Sequence, residues 1–129
     1  MPELPNVETY DNYLKATALH KKITAVKVNN AKILKHLSIQ TFKDQLKDRS
    51  FEALKRHVKH LFVQLDNSEW IRLHFGMNGD LKYYKGQANE PKYSRIVFSF
   101  ENGYHLALIS QRLLGSVSLA KDIRMLKKI

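Results

Sequence analysis

The sequence predicts an α+β fold, an antiparallel β-sandwich flanked by two helices, and three observations carry that expectation. Seven short segments after Arg49 have strand character, tight-turn residues separate them at even spacing, and helical periodicity is confined to the first part of the chain. With 129 residues and 43% hydrophobic content, the chain reads as one domain, residues 1–129, able to bury its own core.

Residues 3–18 place Leu4, Val7, Tyr10, Leu14 and Ala18 close to the i, i+3, i+7 spacing of an amphipathic helix. Pro5 falls in its first turn, where a missing N–H costs little. Residues 22–29, with Ile23, Val26 and Val28, follow as a strand. Ser38 is the expected N-cap of a short second helix through Ile39, Phe42 and Leu46. Strands are then expected at 50–57, 59–66, 70–76, 80–85, 92–100, 104–110 and 116–119. Asp66-Asn67, Asn78-Gly79 and Asn102-Gly103 punctuate them, and Phe98/Phe100 and Leu106/Leu108 alternate with period two. Many short strands at this spacing fold as two packed antiparallel sheets. Residues 121–129 are basic and amphipathic, which fits a final helical turn or the start of a further segment.

Charge is the strongest bulk signal. Against 12 Asp and Glu stand 22 Lys and Arg, a net charge of +10 and a pI near 9.8. Such an excess, spread from Lys21-Lys22 through Lys55-Arg56 to Lys127-Lys128, is the electrostatic footprint of a nucleic-acid-binding domain. Cysteine is absent, which excludes disulfides and thiolate metal sites within these residues. His57, His60 and His74 have no carboxylate or cysteine at ligand spacing, so no metal or other cofactor is expected in this chain. No long apolar run and no signal-peptide pattern occur, so the expected setting is cytoplasmic, with no membrane partner and no obligate protein partner.

Four segments could carry chemistry. Pro2 offers a secondary amine once Met1 is removed, and such an amine attacks a carbonyl-level carbon to give an iminium. Glu3 can donate or accept a proton beside it. In Arg56-His57-Val58-Lys59-His60 a basic cluster enters an apolar strand, and a lysine there can hold a phosphate. His74-Phe75-Gly76-Met77-Asn78-Gly79 forces a sharp turn around one apolar side chain, which suits a wedge into a base stack or a hairpin tip. Ser110-Gln111-Arg112-Leu113-Leu114-Gly115 is a loop pairing one Arg with apolar neighbours.

Pro2-Glu3-Leu4-Pro5, Arg56 to Lys59, the Gly76-Met77-Asn78-Gly79 turn and Arg112 to Gly115 occur in the order and spacing of one family. The chain resembles, over essentially all its residues, the N-terminal domain of the formamidopyrimidine-DNA glycosylase/endonuclease VIII family, and looks closer to the formamidopyrimidine-DNA glycosylase branch. The resemblance implies a β-sandwich flanked by helices and a base-excision repair enzyme acting on damaged double-stranded DNA. By it, Pro2 is the nucleophile on C1′ and Glu3 the general acid/base, while Lys59 holds a phosphate and lines the lesion pocket. Met77 and Arg112 fill the gap left by the flipped-out base, and Leu114, Arg56 and His74 complete the DNA contacts. A positive helix N-terminus and Lys59 would lower the Pro2 amine pKa and free its lone pair.

Departures from the family pattern are informative. Asn6 stands where glutamate is usual, Leu114 replaces a wedge phenylalanine, Ser110-Gln111 replaces Asp-Pro, and Val58 replaces a small residue. Family members continue into a helix–two-turn–helix domain and usually a finger, which can carry zinc. Neither lies within residues 1–129, so a domain of a longer protein is expected, weak or inactive by itself. Two other classes compete. One is a catalytically inactive nucleic-acid-binding module of the same fold. The other is an N-terminal-proline tautomerase, disfavoured by the helical pattern directly after Pro2 and by a charge that a small acid does not need.

Overall fold

The structure, a computed structural model, describes residues 7–57, 60–74, 79–111 and 115–120. In chain order the elements are α1 (Val7–Ala16), β1 (Ile23–Val28), α2 (Ile39–Leu46), β2 (Phe51–His57), β3 (His60–Leu65), β4 (Trp70–His74), β5 (Gly79–Lys85), β6 (Ser94–Phe100), β7 (Tyr104–Ser110) and β8 (Ser116–Ala120). Single 3-10 turns lie at Ala31–Ile33 and Gln87–Asn89. The strands form two antiparallel four-stranded sheets, ordered β1-β6-β7-β5 and β2-β3-β4-β8.

Period-two alternation sends one face of each sheet inward. Leu61, Val63, Ile71, Leu73 and Val117 of one sheet join Ile96, Phe98, Leu106 and Leu108 of the other in a single buried cluster. Phe98 is its hinge point. Its ring meets Phe51 edge-on at 5.4 Å and Phe42 at 6.2 Å, tying β6 to the opposite sheet and to α2. Helix α2 starts as its sequence dictates, with the Ser38 hydroxyl accepting from the Thr41 N–H at 3.1 Å.

Several boundaries differ from the sequence expectation for identifiable reasons. Helix α1 ends at Ala16, because the N–H groups of Thr17, Ala18 and Leu19 all converge on the Leu14 carbonyl and His20 turns left-handed at φ +67°. Ala18 is still fully buried, which explains its place in the apolar spacing. The start of that expected helix, residues 3–6 with Leu4 and Pro5, lies outside the described residues, as do 58–59, 75–78, 112–114 and 121–129. Strand β6 starts at Ser94 instead of 92, since Tyr93 is left-handed at φ +63°. Asn102-Gly103 makes the expected hairpin between β6 and β7, Gly103 at φ +84° and the Asn102 side chain accepting from the Tyr104 N–H at 3.0 Å. Strands β4 and β5 belong to different sheets and are not paired as a hairpin, while the expected turn between them, residues 75–78, lies outside the described residues.

The outer face of the β1-β6-β7-β5 sheet is not bare. Tyr84, Val97 and Ala107 are buried there as a second, smaller cluster, with Ile109 packed against it.

Because Phe98 links three elements, Phe98→Ala should cost about 3–5 kcal/mol, the usual range for deleting a buried phenylalanine. Urea unfolding followed by circular dichroism measures this.

Candidate functional site

The ends of the described segments converge. In the β2-β3-β4-β8 sheet, His57, His60, His74 and Ser116 stand opposite one another in one transverse row. In the other sheet, Gly79 is opposite Ser110. Residues 58–59 lie between His57 and His60, 75–78 between His74 and Gly79, and 112–114 between Gln111 and Gly115. The five Cα–Cα steps from His74 to Gly79 span at most about 18 Å. The His74 and Gly79 ends therefore sit close together, and one end of the sandwich gathers all three breaks.

Helix α1 is fastened to that same end. The Tyr10 hydroxyl donates to the Gly79 carbonyl at 2.5 Å, and the Tyr83 N–H donates to the Tyr13 hydroxyl at 2.7 Å. Tyr10 and Tyr13 are one helical turn apart and so reach the same strand. Burial, reinforced by the Asp80 charge, pushes the Tyr10 hydroxyl up to about 12, so it stays a neutral donor at physiological pH. Asp80 itself accepts from the Leu81 N–H at 2.8 Å. The chain leading into α1, which includes Pro2 and Glu3, is thus joined to a helix anchored beside the two inter-sheet links.

Of the candidate residues, Pro2, Glu3, Lys59, Met77, Arg112 and Leu114 lie outside the described residues. The other two are described. His74 is half-buried at the end of β4, its ring 4.8 Å from that of His60. Arg56 is exposed near the end of β2, opposite Leu61. Three residues that structure this end were not singled out as site residues from the sequence: Tyr10, His60 and Arg95. Tyr10 was visible as an apolar helix position, but its hydroxyl partner 69 residues away was not. His60 gains its place only through the β3–β4 register. Among the described residues no three His, Asp or Glu side chains form a metal-holding group. Nor is any described helix long and apolar enough to cross a membrane.

Comparison with solved structures defines the fold first. The fold is that of the N-terminal sandwich of a DNA glycosylase. Lactococcus lactis Fpg, solved in complex with DNA containing an abasic site, matches 97% of this chain over 46% of its own, with a TM-score of 0.86 at 20% identity. The same protein bound to DNA containing Fapy-dG matches with the same TM-score and identity. A family model, the formamidopyrimidine-DNA glycosylase N-terminal domain, matches residues 1–117. The chain belongs to that family. It is 34% identical over 126 residues to the formamidopyrimidine-DNA glycosylase of Mycoplasma genitalium, and 32% identical over 117 residues to that of a Wolbachia from Brugia malayi. These matches take in 95% and 91% of this chain but 44% and 43% of the relatives, so the chain spans less than half their length.

The raised Tyr10 pKa has a consequence for stability. Between pH 10, where the unfolded phenol ionises, and about 12, where the folded one does, the native state holds the extra proton. Stability should therefore fall as pH rises through that window, and Tyr10→Phe should remove this part of the slope. Urea unfolding of both proteins from pH 9 upward checks it.

Proposed function

We propose that residues 1–129 are the N-terminal catalytic domain of a bifunctional DNA glycosylase with abasic-site lyase activity, acting on damaged double-stranded DNA. One observation carries this reading: the family match over residues 1–117 contains every candidate residue named from the sequence. The described strand ends that flank residues 58–59, 75–78 and 112–114 lie at the end where α1 is anchored, which supports the reading, because the reaction needs those segments around one nucleotide.

In the proposed reaction the Pro2 nitrogen lone pair attacks C1′ of the damaged nucleotide, the base leaves with the electrons of the glycosidic bond, and the proton released by the Pro2 nitrogen neutralises the departing base. Glu3 delivers a proton to the ring oxygen as the C1′–O bond breaks, leaving an iminium between Pro2 and the opened sugar. Loss of a C2′ proton then expels the 3′ phosphate, and a second elimination expels the 5′ phosphate. Lys59 holds a phosphate of the lesion strand, with Arg56 and His74 adding contacts at the same sheet end. Met77, Arg112 and Leu114 occupy the space of the extruded base, whose unstacking costs a few kcal/mol and least at a damaged site. Leu114 in place of an aromatic wedge stacks less well on the neighbouring base, so lesion and opposite-base preference should differ from that of relatives with phenylalanine. The working compartment is that of the DNA, the cytoplasm, with nucleoid association in a bacterium.

Borohydride trapping on a duplex with an abasic site tests the proposal, using protein whose Met1 is verified as removed. A covalent adduct should form and be absent in Pro2→Gly. Binding should weaken steeply as salt rises, since each phosphate contact displaces counterions. Salt-sensitive binding without an adduct would instead identify an inactive DNA-binding module. Turnover of a keto acid without DNA affinity would overturn the DNA assignment altogether.

A further inference from the structure

We infer that Arg95 is a positioning residue for the 112–114 loop, gripping the peptide group from which Arg112 springs. The inference rests on the proposed gap-filling role of that loop and extends it to a residue on a neighbouring strand.

Two independent features single out Arg95. The first is a bulge. The β6–β7 register runs from Ile96 opposite Leu108 to Ser94 opposite Ile109, leaving Arg95 as an extra residue with no counterpart on β7. A bulge of this kind re-aims a side chain that a regular pleat would point away from the sheet. The second is what the re-aimed side chain does. Its Nε donates to the Ser110 carbonyl at 2.8 Å, and its Nη2 to the Gln111 carbonyl at 3.1 Å. The planar guanidinium fork reaches two successive carbonyls at once, which a lysine ammonium on a flexible stem cannot hold in the same geometry.

The second carbonyl matters most. The Gln111 C=O and the Arg112 N–H share one planar peptide unit, so fixing the oxygen fixes the plane from which the Arg112 backbone departs. The root is held from other sides as well. The Tyr93 carbonyl accepts from the Ser110 N–H at 3.1 Å, and Gly79 pairs with Ser110 across β5. The buried Ser110 hydroxyl makes no hydrogen bond among the described residues, so the described grip on this strand end comes from backbone carbonyls. This is the position where the family commonly has aspartate, and the Arg95 fork supplies an anchor from the neighbouring strand.

The bulge is itself braced. Asn29 donates its N–H to the Arg95 carbonyl at 2.8 Å and its side-chain amide to the Ser94 carbonyl at 2.7 Å. The Ser94 hydroxyl donates to Glu90 at 2.8 Å, and Lys27 pairs with the same carboxylate. The Lys27 hydrogen bond first, then those from Ser94 and Asn29, hold the Glu90 carboxyl below the usual carboxylate range. The Arg95 guanidinium also lies 5.6 Å from the centroid of the Tyr93 ring, which limits its alternative rotamers.

A grip needed only to order the loop should matter where a gap must be filled and not where there is none. The test compares wild type, Arg95→Ala and Arg95→Lys in borohydride trapping on an abasic site in duplex DNA and in the same strand alone. Amide hydrogen exchange at residues 111–115 is followed in parallel. Arg95→Ala should lower duplex trapping by about tenfold, the scale of losing charge-assisted hydrogen bonds. Single-strand trapping should stay within about twofold on the same reasoning. Exchange at residues 111–115 should accelerate in Arg95→Ala while exchange in β3 is unchanged, and Arg95→Lys should recover only part of the duplex rate. Parallel loss on both substrates, no loss on either, or unchanged exchange at 111–115 would overturn the positioning role. Absence of any adduct with wild type would count against the glycosylase reading alone. The exchange comparison would then still decide the Arg95 grip, acceleration at 111–115 supporting it and no acceleration overturning it.

Discussion

The hydrogen bond from the Tyr10 hydroxyl to the Gly79 carbonyl is the constraint on which the rest of this site depends. Gly79 is the first residue of β5 and is paired with Ser110, the last of β7. A single backbone position therefore joins the helix that follows the chain start, the end of the Met77 link and the beginning of the Arg112 link. The residues proposed as amine nucleophile, wedge and gap-filler, Pro2, Met77 and Arg112, come from segments about 35 to 75 residues apart, and the described elements next to those segments meet at this strand end. Burial raises the Tyr10 phenol from 10 to about 12, which extends its range as a protonated donor into alkaline solution.

Electrostatics act on a different scale. A net charge of +10 makes the chain attractive to a polyanion without fixing where that polyanion sits. Glu90 is one of 12 acidic residues, and its carboxylate is engaged by Lys27, Asn29 and Ser94 beneath the bulge that aims Arg95. Here one negative charge braces the strand segment that carries a basic side chain, while Arg56 is exposed one position before the row of strand ends.

Much of this fold was legible in the sequence, because strand periodicity, the Ser38 cap and the Asn102-Gly103 turn are local signals. Which strands pair was not. The glycines flanking Met77 satisfy a hairpin and an inter-sheet link equally well, and only the assignment of β4 and β5 to different sheets separates them. The early end of α1 was hidden for a related reason. Ala18 is buried at helical spacing although the chain has already left the helix. The candidate reacting residues came from the order of four motifs along the chain, a linear pattern that sequence displays directly. The residues that hold them did not. A bulge at Arg95 exists only relative to the register of β7, and the Tyr10–Gly79 and His60–His74 contacts exist only after the sheets have formed.

The claim at the centre of this account is that the amine following Met1 is the reacting group, presented by a helix fastened to the Gly79–Ser110 strand end. Peptide mapping by mass spectrometry of the reduced protein–DNA adduct addresses it most directly. The sugar remnant should be found on the Pro2 nitrogen of an N-terminal peptide lacking Met1. A remnant found only on a lysine, Lys59 included, or on a chain that still carries Met1, would contradict it.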